Sequence, residues 1–254
     1  MSVVFRRPST GSIAGRSADH LAAAHTGLIV LQPDPLPNQN PRNRGGSGSK
    51  SSYRLGMSVL HLDDILGEVM GRTAHSGLRI IGVDGPSGSG KSTLAARISA
   101  RIDAPIVQMD DFVSWVDLVG WWPRFEAQVL NPLLSGSDAH FRVRDWENDE
   151  FGTSLSGWKT VPWSPWVVLE GLTCTRAAAS DQLALSIWVE APDAIRLRRG
   201  LDRDGETHRP LWLESMRTER KFFADDATRA RADLRVDGNP GIPHDQESEI
   251  VLLD

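Results

Sequence analysis

Short apolar runs alternate with stretches of helical period along most of this chain, starting near Met57. Val59, Leu60, Leu62, Ile65, Leu66 and Val69 recur at the spacing of one helix face, which predicts an amphipathic helix leading into a first strand. That strand covers 78–84, with Ile80–Ile81–Gly82–Val83 apolar without alternation, as expected when both faces of a strand are buried. A helix over 91–102 follows, then a short strand over 104–109. A helix over 123–134 carries Phe125, Val129, Leu130 and Leu133 on one side. Strands over 166–169 and 183–189 come next, then helices over 192–202 and 211–230 and a last strand over 232–236. Repeated alternation of strand and helix predicts an α/β fold of three layers, a parallel sheet with helices on both faces. Ligands of such sheets sit beyond the carboxyl ends of the strands. Asp84, Asp110 and Glu170 all fall at those ends.

The junction of the first strand and its helix carries the clearest chemistry. Gly85-Pro86-Ser87-Gly88-Ser89-Gly90-Lys91-Ser92-Thr93 contains the G-x-x-x-x-G-K-[ST] pattern, entered by a strand and left by a helix. Glycines there let backbone N–H groups curl around an anion, and the helix start adds unpaired N–H groups and a positive dipole end. Lys91 reaches β- and γ-phosphates and the Ser92 hydroxyl ligates Mg²⁺ in this pattern. The expected ligand is a nucleoside triphosphate, ATP with Mg²⁺.

Composition changes the picture at one end of the chain. Pro33 to Pro41 and Gly45 to Ser52 are turn-rich and poor in large apolar residues, so 1–56 is expected to be a disordered extension and 57–254 the folded domain. Residues 1–18 carry Arg6, Arg7 and Arg16 and no acidic residue, a faint likeness to a transit peptide; the plainer reading is a tail, with Met57 opening the folded protein. A net charge of −5 gives no bulk electrostatic reason for a nucleic-acid partner. No apolar run nears the ~18 residues that span a bilayer, so no membrane partner is expected. The single cysteine, Cys174, fits a reducing cytoplasm. Of 28 basic residues 24 are arginine and 4 lysine, which makes Lys91 one of very few lysines.

Other residues narrow the subclass. The chain has no N-K-x-D base-reading motif and no L-S-G-G-Q; Leu134–Ser135–Gly136–Ser137 reads as a helix end and turn. A small-molecule kinase needs a carboxylate for the acceptor hydroxyl, a second for Mg²⁺, and arginines over the phosphates. Candidates for all three are present.

Six features in order resemble the uridine kinase-like group of P-loop kinases, which includes pantothenate, phosphoribulose and nicotinamide riboside kinases. They are Gly85–Thr93, Met109–Asp110–Asp111–Phe112, Val129–Leu130–Asn131–Pro132–Leu133, Val167–Val168–Leu169–Glu170–Gly171, Arg198–Arg199 with Arg203–Asp204, and Ala232–Asp233–Leu234, together spanning 78–238. The resemblance implies ATP-dependent phosphorylation of a hydroxyl on a small metabolite, a nucleoside first, a pantothenate- or sugar-type acceptor second. A non-catalytic nucleotide-binding protein or a bare ATPase is the reading of another class.

Within that frame Asp110 is the expected general base, with Asp111 either its substitute or a cap for the following turn. Glu170 is expected to organise Mg²⁺ together with Ser92. Asp84, in the approach to the loop, is a prospective bonding partner of Ser92 or Lys91. Arg196, Arg199 and Arg203 share one helix face, either a mobile phosphate-clamping lid over 196–209 or a solvated surface; as a lid, Arg199 and Arg203 act on the transferring phosphoryl. Asp145–Trp146 offers a carboxylate and an aromatic wall to the acceptor, or is an ordinary strand edge. Trp115, Trp121 and Trp122 either clamp the acceptor or belong to the core.

Overall fold

The computed structural model describes residues 58–71 and 77–253; the expected extension over 1–56 lies outside them. The described chain opens with β1 (Val59–His61) and α1 (Leu62–Met70). Val59 and Leu60, expected in the helix, are therefore strand. β1 pairs antiparallel with a strand at the far end of the chain, Glu249–Val251, and the Leu62 amide donates to the Ser248 carbonyl at 2.8 Å. Asp63 and Asp64 in the first turn of α1 favour starting the helix just past that pairing.

β2 (Arg79–Asp84) leads through the glycine-rich loop into α2 (Lys91–Ile102), and β3 (Ile106–Gln108) ends in a 3₁₀ turn over Met109–Asp111. A continuous helical stretch follows: α3 (Trp122–Phe125), a π turn over Glu126–Leu130 and α4 (Asn131–Leu134). Pro132 has no N–H to donate and its ring crowds the carbonyl four residues back, which accounts for the widened turn before it. Next comes an antiparallel hairpin, β4 (Ala139–Arg144) with β5 (Leu155–Val161), separate from the main sheet. β6 (Trp166–Glu170), β7 (Leu183–Glu190), α5 (Asp193–Asp204), α6 (Arg209–Asp226), α7 (Thr228–Arg231), β8 (Leu234–Asp237) and β9 (Glu249–Val251) complete the domain. Ala227, at φ +52°, divides the single helix expected over 211–230 into α6 and α7.

The main sheet has five parallel strands in the order β3-β6-β2-β7-β8. Strand alternation sends successive side chains to opposite faces. Ile80, Val107, Val167 and Leu169 join Phe125, Val129 and Leu133 on one face. Ile81, Val83, Val168 and Ile187 meet Leu62, Ile65, Val69, Leu94 and Ile98 of α1 and α2 on the other. Each such side chain is worth about 1.5–3 kcal/mol of transfer free energy when fully buried. Trp121 and Trp122 belong to the first core, and Phe141 of β4 fastens the hairpin to it, with its ring 5.0 Å from that of Phe112. No helix among the described residues is long and apolar enough to cross a membrane.

Register sets the site. Val83 of β2 lies beside Glu170 of β6, and Glu170 beside Gln108 of β3, so three strands end at one level. The turn after β3 carries Asp110 just past that level.

Candidate active site

At the carboxyl edge of the sheet the loop 85–90 turns back over β2. Gly85 has φ +139° and a Cβ there would meet the Val189 carbonyl oxygen at 2.0 Å; Gly88 has φ +76° and its Cβ would meet the Arg196 carbonyl at 2.7 Å. Both positions thus require glycine for backbone conformation and for close approach. The loop delivers the chain into α2, whose first-turn N–H groups have no carbonyl within the helix. Gly88, Gly90, Lys91, Ser92 and Thr93 all line a cleft of about 280 Å³. Such a cradle of glycine backbone and helix N-terminus fits a polyphosphate.

Asp84 supports the loop from below. Its buried carboxylate accepts from the Gly85 amide at 2.7 Å, the Thr173 amide at 2.8 Å, and the Thr175 amide and hydroxyl at 2.8 and 2.9 Å. These bonds occupy the carboxylate that the sequence offered to Ser92 or Lys91, so Asp84 ties the phosphate loop to the segment after β6. Burial raises its pKa, and the bonds it accepts only partly offset that.

Lys91 is 7% exposed, and its Nζ donates to the Pro86 carbonyl at 3.1 Å. The Ser92 hydroxyl donates to Glu170 Oε1 at 3.1 Å. Burial raises the Glu170 pKa, Lys91 pulls it back, and the Asp110 charge pushes it further up. Hydroxyl and carboxylate side by side, both oxygen donors on the cleft wall, are the hard ligands Mg²⁺ prefers.

Asp110 and Asp111 diverge. Asp110 is exposed and lines the cleft with Glu170 and Lys91. Asp111 turns away into a 2.7 Å ion pair with Lys159 of β5. Asp145 is not among the cleft residues; its carboxylate accepts from the Asn148 amide and side chain. Trp146 is not in the cleft wall either. Its indole donates to the Asp110 carbonyl at 2.9 Å, so it holds the backbone of the candidate base instead of facing an acceptor.

The arginines also separate. Arg196 is buried and paired with Glu219 at 3.3 Å. Arg199 lines the cleft but spends its guanidinium on the carbonyls of Gly88 and Gly238, both at 3.1 Å. The expected lid over 196–209 is thus mostly helix α5, fastened by Arg199 to the loop at Gly88 and to the turn after β8 at Gly238. Arg203 sits at the cleft rim, doubly bonded to Asp204 at 2.7 and 3.1 Å. That contact with Asp204 raises the Arg203 pKa against the pull of burial. Asp204 also accepts from the Trp212 indole at 2.9 Å. Gly171, from the strand-end feature, also lines the cleft; Trp212 and Leu172 line it too and went unnoticed in the sequence, as did Glu219. Trp115 packs edge-on against Trp212.

Parallel strand order, glycine loop, buried lysine and paired serine and glutamate define a P-loop nucleotide-binding protein of the kinase type. The model of the family described as the AAA domain matches residues 81–221, more than half of the chain, and the chain belongs to that family. The fold is shared with a protein from Bacillus stearothermophilus described as a possible uridine kinase, at 19% identity and a TM-score of 0.50, covering 68% of this chain and 95% of that one. TT1252 from Thermus thermophilus is 20% identical over 65% of this chain and 90% of its own, with a TM-score of 0.39. Shikimate kinase from Bacteroides thetaiotaomicron is 14% identical over 67% of this chain and 91% of its own, with a TM-score of 0.36. Likeness at this level concerns the fold and not the substrate. No curated protein matches the sequence.

Proposed function

We propose that the protein is an ATP-dependent kinase that phosphorylates a hydroxyl of a small metabolite, a nucleoside or a similar sugar-bearing compound. The observation that carries this reading is Asp110, an uncapped carboxylate on the cleft wall across from the phosphate loop. A module that only binds nucleotide has no use for it there. The nucleoside preference rests on the ordered motifs that resemble the uridine kinase-like group.

In this reading the cleft amides and Lys91 hold the phosphates. Ser92 and Glu170 would hold Mg²⁺, which supplies charge neutralisation on the phosphate oxygens. Asp110 orients the acceptor hydroxyl and takes its proton as the oxygen attacks the γ-phosphorus and the bond to ADP breaks. Arg203 lies where negative charge accumulates at the rim of the cleft.

The test is ADP release measured across a panel of nucleosides, vitamins and sugars. Release that requires one class of acceptor is expected; a low rate indifferent to every compound would leave only ATP hydrolysis.

Glu170 gives a second, separable prediction. Glu170→Gln raises the Mg²⁺ concentration for half-maximal rate by roughly 10–100-fold, the range seen when metal-site partners are lost. In the unaltered protein that concentration climbs as pH falls through the raised Glu170 titration, and the substitution abolishes the climb. Stability moves the other way. A carboxyl whose pKa is raised on folding adds stability only when protonated, and that contribution is lost as pH rises. Metal-free Glu170→Gln therefore melts higher than wild type at neutral pH. A lower melting temperature with unchanged Mg²⁺ demand would refute both parts.

A further inference from the structure

One residue of the phosphate loop is gripped on both its N–H and its carbonyl side by a buried ion pair from other elements. Glu219 of α6 is 1% exposed and receives the Ser87 N–H at 3.2 Å on each carboxylate oxygen. Arg196 of α5 donates through Nη1 to the Ser87 carbonyl at 2.9 Å and to Glu219 Oε2 at 3.3 Å. Its Nη2 holds Asp193 at 2.8 Å, and the Ser215 hydroxyl gives Glu219 a further bond at 3.4 Å. Ser87 is the third residue of the glycine-rich pattern, and both of its backbone polar groups are committed.

We propose that Glu219 and Arg196 are positioning residues for the phosphate loop: they fix the Ser87 peptide so that its neighbour presents N–H to the nucleotide. The Ser87 carbonyl and the Gly88 N–H belong to one planar unit and point in opposite directions. Pinning the carbonyl on Arg196 turns the Gly88 N–H to the other side, where Gly88 lines the cleft. Without the pin, glycine at 88 lets this peptide rotate and aim its carbonyl at the phosphates. The pair thus supplies preorganisation, and its ordering cost is met before the ligand arrives.

A role in stability alone makes a different prediction. Replacing a buried ion pair by apolar residues of similar volume is often neutral or stabilising. Arg196→Met/Glu219→Leu is therefore expected to melt at or above the wild-type temperature while binding Mg·ADP roughly 10–100-fold more weakly, the weight of one or two hydrogen bonds to charged groups. Calorimetric titration with Mg·ADP reads this without turnover. The exposed pair Arg217–Glu214 on the same helix is the control, and Glu214→Gln/Arg217→Met leaves affinity unchanged.

This inference rests on the loop being the nucleotide site, and wild type separates the two claims. If wild type binds no nucleotide, the reading of the loop fails. If wild type binds and the folded double variant binds equally well, the positioning role fails. Should the double variant not fold, Glu219→Gln decides. It keeps size and an acceptor for the Ser87 N–H while removing the charge; leaving Arg196 buried beside a neutral group lowers the melting temperature, and at least a fivefold loss of affinity in the folded protein is expected. Unchanged affinity would overturn the proposal.

Discussion

Lys91→Ala is expected to lower turnover by at least about 10³, near the top of the range for removing one group that stabilises transition-state charge. Mg·ATP affinity should fall with it, by roughly 10–100-fold for the lost charge-assisted bonds. Lys91 projects from the start of α2 into the cleft, is nearly buried, and forms no ion pair among the described residues. Among the described residues its side chain hydrogen-bonds the neutral Pro86 carbonyl alone, so its charge is free for phosphate. The same fact sets the sign for stability. An ammonium group held out of water with no carboxylate bonded to it costs folding energy, which its attraction to Glu170 and Asp84 offsets only in part. The alanine variant should thus melt no lower than wild type when both are free of nucleotide. Calorimetry of Mg·ATP binding beside steady-state rates checks both halves. Normal affinity and rate in this variant would mean that the loop is not the phosphate site.

Asp110→Asn carries the second large effect. A general base contributes about 10²–10⁴ in rate, and the amide cannot accept the proton. The loss should appear in kcat, with Mg·ATP affinity nearly unchanged, because in the proposed reading Asp110 serves the acceptor hydroxyl and the loop amides and Lys91 hold the phosphates. Asp111→Asn is the internal control. It breaks the partly exposed pair with Lys159, worth up to about 1 kcal/mol, and should cost stability more than rate. If Asp111→Asn proves the more damaging to kcat, the base is assigned to the wrong neighbour. The hydrogen bond from Trp146 to the Asp110 carbonyl links the hairpin to the same step through backbone placement.

What could be read from the sequence was what local pattern encodes. β2 and β6 are apolar at consecutive positions because helices cover both faces of the sheet. The glycine loop was legible because its backbone conformations demand glycine at fixed spacing. Contacts between distant segments were not. Val59 and Leu60 continue the helical spacing of α1, and only pairing with β9, nearly two hundred residues later, makes them strand. The β4–β5 hairpin is hidden for a similar reason. Its long connection is folded around the Arg144 guanidinium, which donates to the carbonyls of Asp145, Asp149, Gly152 and Ser154. That loop, with Asn148 as its partner, is what takes Asp145 away from any acceptor. Asp84 sits near Lys91 in sequence, yet Thr173 and Thr175, brought in by the chain after β6, claim its oxygens. Glu219 left one sign: it falls in line with Trp212, Met216 and Phe223 on the buried stripe of α6, where a lone charge needs a partner. The partner, Arg196, was visible only as one arginine among many.

The central claim concerns where the γ-phosphate goes, and tracing it is the most direct measurement. Wild-type protein is incubated with γ-labelled ATP, Mg²⁺ and a mixed pool of small hydroxylated metabolites, and the label is followed by chromatography. The expected result is label on one metabolite, with little inorganic phosphate formed, and loss of that product in Asp110→Asn. Label appearing only as inorganic phosphate, at one rate with and without the pool and unaltered in Asp110→Asn, would contradict the account.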